Sequence, residues 1–377
     1  MKLLHIITDL GQGGAEAILY RLVYATHDSI EHSVVSLHGE GFYAPKLREL
    51  GVKVEVLNMP KGRLTVNGLK KLKRYLKENK PDLIQTRMVH ADLVGGVVAR
   101  MVGSTPVVWA VHATELGDFK KTWKTRFIRR ICALLSHWIP SAIITDAQGA
   151  KQLHISLGYS RNKFTVIPNG VDLSKFRQND EEREKLRSEW NVPSELVLLG
   201  FVARWDPLKD HRNLLKALSI LNKQQCQFQC VLVGNGMDSN NSDLRSMIEK
   251  YELNDKVLLA GPRSDVINVM NALDVHVLSS CSESLPVVLI EAMACATPCV
   301  ATNVGDVNFV IGEEGWVVPP ADSEALAKAL HKAISEANDV TEWRKRKVRC
   351  RNRIVEKFSS EFMIDAYKEV WEKAFRK

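Results

Sequence analysis

The chain has 377 residues, which at about 150 residues per domain predicts two domains, each large enough to bury its own core. Hydrophobic residues make up 45% and charged residues 25%, a globular composition that excludes a disordered or collagen-like chain. The net charge of +8 is one-sided: residues 1–170 hold 24 Lys and Arg against 13 Asp and Glu, a balance of +11, and the rest stands at −3. Such a field suggests a nucleic acid, an anionic membrane or a polyanionic substrate near the N-terminal half.

In chain order, short runs of Val, Ile and Leu alternate with helical stretches. Leu3–Thr8 precedes a helix over Ala15–Ala25, Ser33–Leu37 one over Ala44–Leu50, and Lys53–Leu57 one over Val66–Glu78. Leu83–Thr86 leads to Ala91–Val102, Pro106–Val111 to Lys124–Ile139, and Ala142–Asp146 and Phe164–Ile167 continue the series. Repeated βα units imply a parallel sheet covered by helices. The pattern breaks at Pro168-Asn-Gly-Val-Asp172 and a polar stretch follows. A second series then begins at Leu196–Val202 and continues through Phe228–Val233, Lys256–Ala260, Asp274–Leu278 and Pro298–Ala301. After Pro319-Pro320 the chain is helical over Ser323–Ala337, Glu342–Lys357 and Glu361–Phe375. The expected organisation is an N-terminal domain over 1–172, a linker over 173–195 and a second domain over 196–357. A terminal helix over 358–377 is free to pack back on the first domain.

No apolar run reaches the roughly 18 residues of a membrane span, and Asp9 and Gly11 end the first apolar run too early for a signal peptide. A cytosolic protein is expected. Seven cysteines, with Cys226/Cys230 and Cys295/Cys299 each separated by three intervening residues and no histidine at finger-like spacing, read as buried thiols rather than disulfides or a zinc site.

Gly11-Gln-Gly-Gly-Ala-Glu16 forms a glycine-rich turn between the first strand and helix, where backbone N–H groups and the helix dipole favour an anion. As a dinucleotide fingerprint it is defective, because Glu16 stands where the third glycine belongs. Gly234-Asn-Gly236 fails in the same way at Ser239. The richest stretch runs from Ser282-Glu-Ser-Leu-Pro286 to Glu291 and on to Thr302. Pro286 suits the first turn of a helix that would put Glu283 at its mouth and Glu291 about a turn and a half inside. By themselves these residues also describe a capped helix with a solvated carboxylate.

The pair Glu283 and Glu291 resembles the E-x7-E signature of retaining glycosyltransferases of family 4. Gly13-Gly14-Ala15-Glu16 is similar to that family's N-terminal glycine loop, Pro168–Asp172 to its interdomain signature, and Arg204 with Lys209 to its Arg-x4-Lys phosphate clamp. Ala203–His211 with Asn213–Ala217 resembles members that build bacterial O-antigen and capsule units. The sequence departs from the family pattern at Ser284 and Ala296, where many members have glycine.

The resemblance implies an α/β GT-B fold: two facing Rossmann-like domains with a central cleft and a C-terminal helical tail. It implies a retaining transferase that moves a sugar from a UDP- or GDP-linked donor to a polyprenyl-diphosphate-linked saccharide in O-antigen, lipopolysaccharide or capsule synthesis. Arg204 and Lys209 would neutralise the leaving diphosphate, Glu291 hold the ribose, and Glu283, beside Ser284, Leu285 and Pro286, bind the transferred sugar. Gly13 and Gly14 would approach the diphosphate, and His112 would face the donor sugar. No cofactor and no metal are expected, and the chain lacks an Asp-x-Asp triplet. The alternatives are a nucleotide-sugar epimerase of the same fold and an inactive sugar-nucleotide-binding subunit.

A membrane acceptor gives the basic half a role. Phe119–Arg130 holds six Lys and Arg and no acid, with Phe119, Trp123 and Phe127 four apart on one helical face. Lys120, Lys121, Trp123, Lys124, Arg126 and Phe127 are therefore expected at an anionic membrane, peripheral to the inner face of the plasma membrane. The basic helix over Val66–Lys77 is a second candidate. Either stretch also fits a solvated face over a core. Nucleic acid is not an expected partner, because charge comes with no recognition motif.

Overall fold

The computed structural model describes residues 1–60, 63–111 and 123–376, with nothing described of the side chains of residues 123–125. The chain divides into two compact units, Met1–Asn169 with Met363–Lys377, and Gly170–Phe362.

The first unit contains β1 (Lys2–Ile7), α1 (Gly14–Thr26), β2 (Glu31–Ser36), α2 (Tyr43–Glu49), β3 (Lys53–Val56), α3 (Val66–Asn79) and β4 (Leu83–Arg87). It continues with α4 (Val89–Val102), β5 (Val107–Ala110), α5 (Trp123–Leu135), β6 (Ala142–Thr145), α6 (Gln148–Ser156) and β7 (Phe164–Val166). Its strands form one parallel sheet in the order β3-β2-β1-β4-β5-β6-β7. Leu3, Leu4, Ile6 and Ile7 are all fully buried, because helices cover both faces of a parallel sheet. One face packs against α3, α4 and α5 through Leu72, Val94 and Cys132.

The second unit contains α7 (Asp180–Glu189), β8 (Val197–Val202), α8 (His211–Lys223), β9 (Phe228–Val233), α9 (Ser242–Lys250), β10 (Val257–Gly261) and α10 (Val266–Ala272). There follow β11 (Val275–Leu278), α11 (Val287–Ala294), β12 (Cys299–Thr302), α12 (Val307–Ile311), β13 (Trp316–Val318), α13 (Ser323–Ala337) and α14 (Val340–Lys357). Its parallel sheet has the order β10-β9-β8-β11-β12-β13. In each sheet the strand order reverses beside the first strand, and α/β folds place their ligands at the carboxyl edge of that point.

Two boundaries differ from those expected. Residues 173–195 belong to the second unit rather than forming a free linker. Arg183 and Arg187 on α7 donate to the Asp274 carboxylate at 2.6 and 3.0 Å, and the Leu198 N–H donates to it at 2.8 Å. The last helix, α15 (Ser360–Phe375), contributes to the first unit from Met363 onward. Met363, Tyr367, Val370 and Trp371 pack with Leu3, Ile18 and Leu83 on the face opposite α3–α5, and Trp371 Nε1 donates to Gln85 Oε1 at 2.7 Å. Within the second unit, the first residues pair with the last ones. Val171 N donates to Phe358 O at 2.8 Å and Ser360 N to Val171 O at 2.9 Å. Gly170 is required there, since a Cβ would lie 2.5 Å from Ser359 O. The seven cysteines are all free thiols, and of these Cys281 alone is exposed.

Candidate active site

The second unit gathers its candidate residues at the carboxyl edge of β8 and β11, the point where its strand order reverses. After β8 the chain makes a single helical turn over Pro207–Lys209, capped by Asp206, whose Oδ1 accepts from the Leu208 N–H at 2.9 Å. Asp206 Oδ2 accepts from Arg204 Nε and Nη2 at 2.9 and 2.7 Å. The N–H of Leu208 and the Arg204 guanidinium hold the Asp206 carboxyl below its usual range. Arg204 is thereby oriented while its side chain stays 66% exposed, leaving further N–H donors for an anion. Lys209, by contrast, is mostly buried and its Nζ lies 2.5 Å from Glu283 Oε1. Asp210 turns the chain at φ 47° and caps α8 through its carboxylate, which accepts from Asn213 N at 3.1 Å.

Glu283 comes from the loop after β11. Ser280 Oγ donates to the same Oε1 at 2.6 Å. Ser284, Leu285 and Pro286 follow, with Leu285 and Pro286 buried, and α11 starts at Val287. Gly305 supports this loop from beneath: its φ is 55°, a Cβ there would lie 2.4 and 2.5 Å from the Glu283 and Ser284 carbonyls, and Asp306 N donates to Ser284 O at 2.7 Å. Glu291 is on the second turn of α11, half-buried. Arg204, Lys209, Glu283, Ser284, Leu285, Pro286 and Glu291 thus share one edge of one unit.

Gly13 and Gly14 begin α1 after β1, with Gly13 at the cap and both exposed. Glu16 is buried and its carboxylate lies against Gly13, where a Cβ would meet Oε2 at 2.4 Å. Glu16 is the third helical residue, the place from which a carboxylate reaches back to cap the helix start, so part of this end's positive field is already matched. His112, Lys120 and Lys121 lie outside the described residues. Trp123 and Lys124 open α5, and Arg126 and Phe127 are exposed. Leu134 continues the exposed apolar stripe from Phe127 at 7-residue spacing along α5, flanked by exposed Arg126 and Arg130, and Trp138 in the turn after the helix is exposed as well. On α3 the pattern is that of a core helix: Leu72, Tyr75 and Leu76 are buried, and Lys70, Arg74 and Lys77 are solvated.

Residues 12–175 match the sequence profile described as Glycosyltransferase Family 4, and residues 182–349 the one described as Glycosyl transferases group 1. The chain belongs to the family 4 glycosyltransferases of GT-B fold. This transferase is 26% identical over 333 residues to the glycosyltransferase EpsF of Bacillus subtilis (strain 168), covering 80% of this chain and 79% of that protein. It is 25% identical over 307 residues to the Escherichia coli UDP-Gal:alpha-D-GlcNAc-diphosphoundecaprenol alpha-1,3-galactosyltransferase, covering 80% and 77%. Its fold is that of Anabaena HepE, solved in complex with UDP, with a TM-score of 0.83, 23% identity, and coverage of 99% of this chain and 100% of that one. None of the described helices of the transferase is long and apolar enough to cross a membrane.

Three residues that sequence reasoning missed complete the site: Asp206, Ser280 and Thr302. Asp206 lay within the quoted motif, where an acid two places after an arginine signals an ion pair. Ser280 sits only three residues before Glu283 in the same loop, but a serine at that spacing carries no signal of its own, and Thr302 acts from the neighbouring strand.

Proposed function

We propose that this glycosyltransferase moves a hexose, with retention of anomeric configuration, from a UDP- or GDP-linked donor to a polyprenyl-diphosphate-linked saccharide in the synthesis of a bacterial surface polysaccharide. The observation that carries the donor assignment is the Lys209–Glu283 pair beside Arg204 at one sheet edge. Departure of a diphosphate develops negative charge, and two preoriented cations stabilise it there, the work a divalent metal does elsewhere. Lys209 has three N–H donors and gives one to Glu283, so two remain for phosphate oxygens. We infer a metal-independent reaction on that ground. Glu291 accepts from the ribose hydroxyls and Glu283 from those of the transferred sugar. A carboxylate held by sugar hydroxyls makes a poor nucleophile. The acceptor therefore attacks from the leaving-group face, and the departing phosphate takes its proton.

The acceptor assignment is supported by the relative that acts on a diphosphoundecaprenol-linked sugar and by the exposed Phe127, Leu134 and Trp138 with their neighbouring arginines, which suit peripheral attachment to an anionic membrane. The test incubates the protein with UDP- and GDP-sugars and a polyprenyl-diphosphate-linked N-acetylhexosamine, with the product linkage read by NMR. An α-linked product from an α-linked donor, formed in EDTA, supports the proposal. An altered sugar without acceptor identifies an epimerase, and nucleotide binding without turnover over the whole panel identifies a binding subunit.

A further inference from the structure

The geometry points to Ser280 as a positioning residue that orients the Glu283 carboxylate for the donor sugar, an inference that rests on the donor site proposed above. Ser280 is fully buried, two residues past the end of β11 at Leu278, and its side chain has a single proton to give. That proton goes to Glu283 Oε1 at 2.6 Å, the oxygen that Lys209 Nζ also meets at 2.5 Å. Both donors therefore fall on one oxygen. Two bonds to Oε1 fix rotation of the carboxylate and turn Oε2 toward the sugar hydroxyls.

Ser280 is itself held from the next strand. Thr302 Oγ1, at the end of β12, donates to Ser280 O at 2.5 Å. The neighbouring Ser279 faces the other way, and its Oγ donates to the carbonyls of Lys209 and Asp210 at 2.9 and 3.1 Å. Two adjacent serines thus divide the labour: Ser279 holds the backbone that carries the phosphate-binding lysine, and Ser280 holds the side chain that reads the sugar. The consequence is a separation of effects. Loss of the Ser280 hydroxyl should spare the nucleoside diphosphate and weaken recognition of the attached sugar, whereas loss of the Ser279 hydroxyl should affect both alike.

Calorimetric titration of the full chain with UDP, UDP-glucose and UDP-galactose tests this on the parent, Ser280→Ala and Ser279→Ala. A hydrogen bond to a charged group is worth enough that its loss corresponds to about tenfold in affinity. In Ser280→Ala the preference for the better-bound sugar nucleotide over UDP should fall about tenfold, with UDP affinity within about twofold of the parent. An unchanged preference overturns the role of Ser280 while leaving the donor site intact. A parent that binds none of the three overturns the donor reading and the Ser280 assignment with it. If Ser280→Ala does not fold, Ser280→Cys, close in size and a weaker donor, carries the same comparison.

Discussion

Lys209 Nζ and Glu283 Oε1 lie 2.5 Å apart although 74 residues separate them in the chain. Both side chains are mostly withdrawn from water, so each depends on the other for its electrostatic balance. Removing the lysine leaves a buried carboxylate without its cation and removes a preoriented contact to the leaving group. Lys209→Ala should lower turnover by roughly 100-fold or more, and the parent should retain activity in EDTA. Steady-state kinetics with and without chelator measure both, and activity lost in EDTA and restored by magnesium or manganese would overturn the metal-independent mechanism.

Glu291 should act on the nucleotide rather than on the sugar. Glu291→Ala removes a charged acceptor worth about 1.5–3 kcal/mol, so affinity for the free nucleoside diphosphate should fall about tenfold or more. Equal affinity in titrations of parent and variant would remove Glu291 from the ribose site.

The exposed Phe127, Leu134 and Trp138 are expected to enter the interfacial region of a membrane. Each engaged basic residue adds about 1 kcal/mol near an anionic surface, and salt screens it. The parent should sediment with anionic liposomes and be released by about 1 M salt if charge dominates. Replacing Lys120, Lys121, Lys124 and Arg126 by glutamine should reduce that binding, and adding Trp138→Ala should reduce it further. Equal sedimentation of parent and variants would make this face a solvated surface.

Stability of the first unit should depend on pH through His32. Thr26 Oγ1 donates its proton to Leu22 O at 2.6 Å, so it accepts from His32 Nε2 at 2.8 Å, which leaves His32 Nδ1 to accept from His5 Nε2 at 3.0 Å. Both rings are neutral in this relay. Burial lowers His32 to about 4 and, with the neighbouring His32 and Arg87, holds His5 well below the usual histidine range. The unfolded chain binds the proton first, near 6.5. Stability is therefore fully present above about pH 6.5 and is lost as pH falls toward 4, by on the order of 3 kcal/mol for His32. Urea unfolding at several pH values should show that slope, and His32→Gln should flatten it.

Ala296 takes φ 61° immediately after the α11 cap. Ala296 N donates to Met293 O and Thr297 N to Ala292 O, both at 3.0 Å, the paired bonds of a Schellman ending whose left-handed residue is usually glycine. Alanine there costs about 1–2 kcal/mol. Glycine would remove that cost, yet it adds about 0.5–1 kcal/mol of chain entropy and gives up a buried methyl worth about 0.8 kcal/mol. Ala296→Gly should therefore lie within about 1 kcal/mol of the parent in urea titration. Ala296→Val, β-branched in a closed space, should lose about 2 kcal/mol or more.

By itself the sequence determined the two βα series, because a strand covered on both faces reads as a nearly continuous apolar run, as Leu3–Ile7 does apart from the buried His5. It also singled out Arg204 with Lys209 and Glu283 with Glu291, because the spacing within each pair is local and matches a family pattern. It left β13 unmarked, since three residues before Pro319-Pro320 carry too little alternation to declare a strand. Only the tertiary structure decided which face α15 covers, that residues 173–195 are tied down by Asp274, and that Thr302 holds the Ser280 backbone from the neighbouring strand. Periodicity states which side of an element is buried and is silent on its neighbour. Those neighbours follow from the strand order, which sets β11 beside β8 and β12 and so joins residues from distant parts of the chain.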